Sequence, residues 1–297
     1  MRPRTPVFGL REVGQPATSA ASAPACLRRP VSAISTLRRE NGLRLDIVMP
    51  AHNEEDRIGR TLSVYRDACP DPDVRFLVAM DDCRDRTAEV VQAHADDDDR
   101  VELFEYPKLG KGGVIAETFR RADADLVGFV DADGATPPQE LMRLAEASLE
   151  ADGAIATRRH PAAVLPARRS FARRLTSAGF ALAVRRLLGL DYRDTQCGAK
   201  VLRREVVDDI LPRLRARDLL FDVDLLASAA EAGHRIVEVP TIWIDQEGSR
   251  VSAVGDSGRM GASLLRLWAR RRMRQKGQTQ MSRPTKASDP NVVGGRA

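Results

Sequence analysis

The chain has 297 residues, which suits one large α/β domain or one domain with tails. Hydrophobic residues make up 43% and aromatics 4%, and no apolar stretch reaches the roughly 18 residues that a membrane span needs. The net charge of +5 is concentrated, with nine Lys or Arg and no acid between positions 257 and 288; this argues for a basic appendage and against a nucleic-acid-binding body.

Residues 1–42 are rich in Ala, Ser, Pro and Arg, with Glu12 and Glu40 the only acids, and are expected to be a disordered leader outside the fold. The folded part begins at LRLDIVMPAHNEE. A buried strand is expected over 45–49, stopped by Pro50, and a helix from Asn53-Glu54-Glu55 to about 67, whose acids suit its positive end. VRFLVAMDDCRDRT repeats the pattern: a strand over 74–80, then Asp81-Asp82, then a helix from about Asp85. The acidic run 96–99 has no strand behind it and reads as a solvated loop. A third strand covers 101–106, and KLGKGG is a glycine loop feeding a helix.

The stretch LVGFVDADGATPPQ is the most informative. Its apolar run 126–130 fits a fully buried strand, with Asp131 and Asp133 at the C-terminal end, where open α/β sheets keep their ligand crevice. Thr136-Pro137-Pro138-Gln139 then has capping-box spacing, with Pro at the first helical position. GAIATRR supplies one more strand. Strands alternating with helices imply a doubly wound, mainly parallel sheet with helices on both faces.

Beyond Arg158 the character changes, with eight arginines and no acid over 158–190. Phe171, Leu175, Ala178 and Leu182 form an apolar stripe, with Arg169 and Arg173 opposite. DTQCGAKVLRRE follows, then a helix at FDVDLLASAAEAG and short strands around RIVEV and TIWID. A last helix, SLLRLWARRRMR, sets Leu264, Leu265, Leu267 and Trp268 on one arc and Arg266 and Arg270 across from it. The expected division is a leader over 1–42, a catalytic domain over 43–256, a basic amphipathic helix over 257–276 and a disordered tail over 277–297.

The four cysteines (Cys26, Cys69, Cys83, Cys197) lack zinc or Cys-x-x-Cys spacing and read as reduced thiols of a cytoplasmic protein. Two carboxylates two residues apart repel unless a cation or donor shares them. Mg²⁺ or Mn²⁺ prefers oxygen and binds through one or two carboxylates plus substrate phosphates, so Asp131 and Asp133 read as a metal site for a nucleoside diphosphate. Asp81 and Asp82 either accept from a base or ribose or cap a helix. KLGKGG is not a Walker A loop, although Lys108 and Lys111 are placed to meet phosphate. The 158–174 arginines suit an anionic substrate or an anionic membrane surface, or else belong to a plain solvated helix.

PAHNEE, DD-x-x-D-x-T, KGG, DADGAT, RDTQCGAK, FDVDLL, and EVP followed by W and GSR, in this order, resemble glycosyltransferase family 2, above all the dolichyl-phosphate glucosyltransferases and polyprenol-phosphate mannose synthases. The resemblance covers roughly 45–251 and implies the GT-A fold. It implies that Pro50, Ala51, Glu54 and Asp82 line the nucleotide pocket with Lys111, that Asp131 and Asp133 hold the metal and diphosphate, and that Arg158 contacts the sugar nucleotide. Arg173 and Ser177, at i and i+4, would bind the acceptor phosphate. Two departures stand out: Cys83-Arg84 replace the usual Gly-Ser, and Ala135 replaces a metal-ligating Gln of some mannose synthases.

The implied reaction is inverting transfer of a hexose, expected to be glucose from UDP-glucose, to a polyprenyl phosphate at the inner face of the cytoplasmic membrane. The basic helix would give peripheral membrane contact, and no nucleic-acid partner is expected. A soluble family 2 enzyme with a hydroxyl acceptor would need a base, for which Asp222 and Asp224 are the candidates; a non-catalytic nucleotide-sugar-binding relative is the third reading.

Overall fold

The structure, a computed structural model, describes residues 42–165, 171–244 and 255–281, with the backbone alone at 171–176, 255–257 and 274–281. The leader except Gly42, the Gly248-Ser249-Arg250 motif and the tail from 282 lie outside the described residues.

Seven strands form one mixed sheet: β1 Leu45–Ala51, β2 Val74–Asp81, β3 Val101–Tyr106, β4 Leu126–Val130, β5 Gly153–Thr157, β6 Ala199–Arg203 and β7 Ile236–Pro240. Their order is β3-β2-β1-β4-β6-β5-β7, and β6 alone runs antiparallel to its neighbours β4 and β5. The described helices are α1 Ile58–Ala68, α2 Thr87–Asp97, α3 Lys111–Phe119, α4 Pro138–Ala147, α5 Phe171–Leu188, α6 Arg204–Ile210, α7 Phe221–Ala232 and α8 Gly255–Met281.

Strand side chains alternate between two apolar layers. Ile47, Met49, Phe76 and Val78 meet α1, α2 and α4 on one face. Val48, Leu77 and Ala79 meet α3, α6 and α7 on the other, where α5 and α8 add Val184, Leu264 and Leu267. Burial on both faces is why these strands read as continuous apolar runs. β1 has β2 on one side and β4 on the other, so the crossover reverses between β1 and β4, and their C-terminal ends open the crevice.

Several boundaries differ from the sequence reading. Pro50 does not stop β1, because β4 pairs only as far as Val48 and Pro50 lies alongside Ala79 of β2 alone. The acids 54–56 form a turn ahead of α1, since the Arg57 and Ile58 amides both bond to Glu54 O and the helix starts at Ile58. The capping box is absent. Pro137 precedes another proline and is held extended (ψ 147°), so it is the N-cap with no side-chain bond. Thr136 Oγ1 is left buried without a partner. The 96–99 run is no free loop: α2 runs through Asp97, and Asp98 accepts from Arg66 and Arg100, whose bonds hold its carboxyl far below the usual range. β6 and α6 are additional elements, and 241–243 is no strand, only a bridge between Val164 and Ile242.

The C-terminal helix docks through Leu264, Leu267 and Arg271, all buried, while Leu265 and Met273 stand exposed. Leu265 therefore does not share the inward arc expected for it. Arg271, inside the basic pattern, donates to Asp224 Oδ1 (2.6 Å) and Ser228 Oγ (2.8 Å) and pairs with Glu231 (2.6 Å).

Candidate active site

The crevice is built where β1, β2 and β4 end. Asn53 and Asp82 follow β1 and β2, and are the two non-glycine residues with positive φ, 56° and 51°, among those described. Asn and Asp tolerate this conformation best, and paired left-handed residues at one strand edge mark a functional turn. The Asn53 side chain accepts from the Arg84 amide (2.8 Å), and the Cys83 thiol sits between the Asn53 amide (3.4 Å) and Ala51 O (3.5 Å). The departure at Cys83-Arg84 thus knits the two turns together. Pro50 and Ala51 end β1 beside this knot. Glu54 is gripped by Arg57 through both oxygens (2.7 and 2.8 Å), and Asp82 is half-exposed beside Arg84 (3.3 Å).

Asp81 faces the glycine loop. Its buried carboxylate accepts from Lys108 Nζ (2.8 Å) and the amides of Leu109 (2.7 Å) and Gly110 (3.1 Å). Burial alone would raise it, yet these donors hold it below the usual carboxylate range. The glycines of this loop serve packing. A Cβ on Gly112 would lie 2.3 Å from Phe221 Cβ, and the amides of Gly112 and Gly113 both donate to Arg217 O (3.0 and 3.2 Å). The first-turn amides of Gly112 and Gly113 are therefore taken by the protein, and Lys108 by Asp81, which leaves Lys111 as the cation this loop brings to Asp131.

At the end of β4, Asp131 and Asp133 flank buried Ala132. Asp133 accepts from the Ala135 amide (2.9 Å), and burial followed by the nearby Asp131 charge pushes its carboxyl up. Asp131 lies 2.6 Å from Lys111 Nζ. Burial would lower Lys111, but Asp131 and Asp222 hold its ammonium well above the usual lysine range. Behind Asp131 the chain enters β6: the Asp131 amide donates to Gly198 O (3.1 Å), and a Cβ on Gly198 would lie 1.9 Å from Asp131 Oδ2. Among the described residues no group of three or more His, Cys, Asp or Glu is placed to hold a metal ion by itself. Two adjacent carboxylates, one destabilised by burial and its neighbour, fit a hard cation that takes its remaining oxygens from phosphate and water. Ala135 contributes backbone only.

Beside this pair lies a second charged cluster. Lys200, fully buried on β6, donates to Asp222 Oδ1 and to Cys197 O (2.9 Å), and lies 5.2 Å from the Phe129 ring centre. Asp222 Oδ2 is 3.9 Å from Lys111 Nζ. Asp224 is not brought here. Two residues along α7, it faces the other way and is saturated by Arg271 and by the amides of Arg215 (2.6 Å) and Ala216 (2.8 Å), so the structure makes it a packing anchor.

Arg158 closes the far wall. It grips Asp194 through two bonds (2.7 and 3.0 Å), reaches Gln196 O (3.1 Å) and stacks on Trp243 at 4.8 Å. Although burial would raise it, the guanidinium holds Asp194 down at about 2. Ser177, on α5, accepts from Arg159; the Arg173 side chain lies outside the described residues. Lys200, Asp194, Gly198 and Trp243 were given no role by sequence reasoning, although the first three belong to DTQCGAK and Trp243 is the W that follows EVP, and a lysine inside the apolar run AKVL is itself a signal.

Residues 46–211 match the Glycosyl transferase family 2 profile. The chain is a family 2 glycosyltransferase. This glycosyltransferase is 32% identical over 248 residues to glycosyltransferase AglD of Haloferax volcanii, covering 81% of this chain but 39% of that protein. It is 32% identical to the undecaprenyl-phosphate mannosyltransferase of Micrococcus luteus (69% of this chain, 85% of the relative) and 30% identical to the dolichyl-phosphate beta-glucosyltransferase of Drosophila melanogaster (79% and 77%). Among solved structures it resembles glucosyl-3-phosphoglycerate synthase from Mycobacterium tuberculosis in complex with UDP, with a TM-score of 0.63 at 17% identity over 81% of this chain and 85% of that one. The enzyme has the GT-A fold.

Proposed function

We propose that this glycosyltransferase moves glucose from UDP-glucose to a polyprenyl phosphate, with inversion at the anomeric carbon. The observation that carries the acceptor assignment is the state of the carboxylates. Beyond Asp131 and Asp133, Asp222 is engaged by Lys200 with Lys111 close by, and Asp224 is saturated. A hydroxyl acceptor needs a general base. A phosphate monoester already carries about −1.5 to −2 charge at neutral pH and needs none. The Micrococcus undecaprenyl-phosphate mannosyltransferase and the Drosophila dolichyl-phosphate beta-glucosyltransferase, both similar to this chain, support the same class.

In this reading Pro50, Ala51, Glu54 and Asp82 line the base and ribose pocket. Asp131 and Asp133 would hold Mg²⁺ or Mn²⁺, which would supply positive charge to offset that growing on the leaving diphosphate. Arg173 and Ser177, with Arg159 already on Ser177, receive the acceptor phosphate. One of its oxygens attacks the anomeric carbon as the bond to the diphosphate breaks, and the electron pair leaves on the nucleotide. Arg158, tied to Asp194, shapes the wall beside the sugar. The enzyme works at the inner face of the cytoplasmic membrane through α8; among the described residues no helix is long and apolar enough to cross it.

The test is to supply labelled UDP-glucose and polyprenyl phosphate in vesicles and follow label into the organic phase. Transfer should be abolished by EDTA and by Asp133→Ala, and Arg173→Ala should lower it more than Asp222→Asn, because it removes a charge-assisted bond to the nucleophile. Label passing only to a water-soluble acceptor, with Asp222→Asn folded but dead, would establish the hydroxyl reading. Tight UDP-glucose binding without release of UDP to any acceptor would mark a non-catalytic relative.

A further inference from the structure

The ammonium of Lys111 sits where a divalent ion's positive charge would be needed. Its Nζ is 2.6 Å from Asp131 Oδ1, and a second carboxylate oxygen, Asp222 Oδ2, is 3.9 Å away. The other oxygen of Asp222 is taken by Lys200, and both lysines lie over the Phe129 ring, at 5.7 and 5.2 Å. Charges therefore alternate from the core outward: Lys200, Asp222, Lys111, Asp131. The two lysines differ in freedom. Lys200 is 1% exposed with a second bond to Cys197 O, whereas Lys111 is 24% exposed at its side chain and opens to the crevice.

We propose that Lys111 is a resident counter-cation that blocks divalent-ion binding at Asp131 until a nucleoside diphosphate draws it away, with Asp222 as its second berth. The inference rests on the metal-and-nucleotide reading above. An ammonium and a divalent ion on one carboxylate repel strongly in a partly dehydrated crevice, so the ion alone binds weakly. A diphosphate attracts the ammonium and lends oxygens to the ion, and Asp222, held in place by Lys200, receives what Asp131 gives up. Ion and nucleotide then tighten each other by one common factor, as linkage requires. The free enzyme thereby avoids filling its crevice with an unproductive cation.

The experiment is direct binding of Mn²⁺ to the purified full chain, read from the electron paramagnetic resonance of the free ion, with and without UDP. Wild type should bind Mn²⁺ weakly alone and much more tightly with UDP. Lys111→Met and Lys111→Gln should bind Mn²⁺ alone about tenfold or more tightly than wild type, since the repelling charge is gone, and should gain less from UDP. Lys111→Arg, which keeps the charge, should resemble wild type without UDP. Two uncharged substitutions of different polarity, each checked by thermal melting, guard against a folding artefact. Unchanged or weaker Mn²⁺ binding by folded Lys111→Gln would overturn the counter-cation role and leave the metal site standing. Absence of Mn²⁺ binding by wild type even with UDP would sink both.

Discussion

At Gly198 a single methyl group decides whether Asp131 can stand where it does, because an added Cβ falls 1.9 Å from one carboxylate oxygen and 2.5 Å from Cγ. Gly198→Ala must displace Asp131 by about an ångström, and misplacement on that scale costs on the order of 10²-fold in rate. The assay is turnover beside a melting curve; the fold should survive. Asp194 gives a pH prediction. Its carboxyl is lowered from 3.8 to about 2 by Arg158 in spite of burial, so its stabilisation is complete above 3.8 and is lost as pH falls through about 2. Asp194→Asn should therefore cost on the order of 2 kcal/mol at neutral pH, with the gap to wild type in urea titrations closing in strong acid. The place of Asp131 and Asp133 at the end of a buried strand was legible because the apolar run 126–130 announces that strand. The saturation of Asp224 was not, since its partner Arg271 lies far along the chain inside what reads as a solvated basic face.

α8 shows what periodicity can and cannot say. The helix was legible, but the sequence does not reveal which of its apolar residues face inward. Packing on α5 and α7 uses Leu264, Leu267 and Arg271 and leaves Leu265 and Met273 outside, with Arg266, Arg270 and Arg272 exposed among them. Such a mixed apolar and basic surface suits the interface of an anionic bilayer. Reversing these three arginines to Glu should weaken co-sedimentation with phosphatidylglycerol vesicles by roughly 1 kcal/mol or more per residue at low salt, without altering the melting temperature. Leu264→Ala should do the opposite, destabilising by about 2–5 kcal/mol as a buried large-to-small change with lipid binding intact in the folded fraction. Vesicle binding unaffected by the triple reversal would move the contact to α5.

Across the whole molecule, the strands up to Thr157 were readable and β6 with its following helix α6 was not, for a physical reason. Up to Thr157 the chain repeats strand, crossover helix, parallel strand, and each buried strand announces itself by an unbroken apolar run. β6 breaks that habit: it is antiparallel, short, and carries a lysine that is neutralised by Asp222 on α7. α7 in turn holds α8 through Asp224 and Arg271, so the helix that presents Asp222 to Lys200 and Lys111 also anchors the surface proposed to meet lipid.

That returning strand has a consequence for the order in which the protein comes into being. β1, β2 and β3 are consecutive and adjacent, so they can pair while later residues are still being synthesised. The pairing of β4 with β6 joins Val130 to Ala199, and closing so distant a contact is slow. Only then does Gly198 meet Asp131 and Lys200 meet Asp222. In a refolding experiment, far-UV circular dichroism should therefore recover ahead of Mn²⁺-dependent UDP binding, the chain passing through a species in which β1 to β3 are paired and β4 and β6 are not.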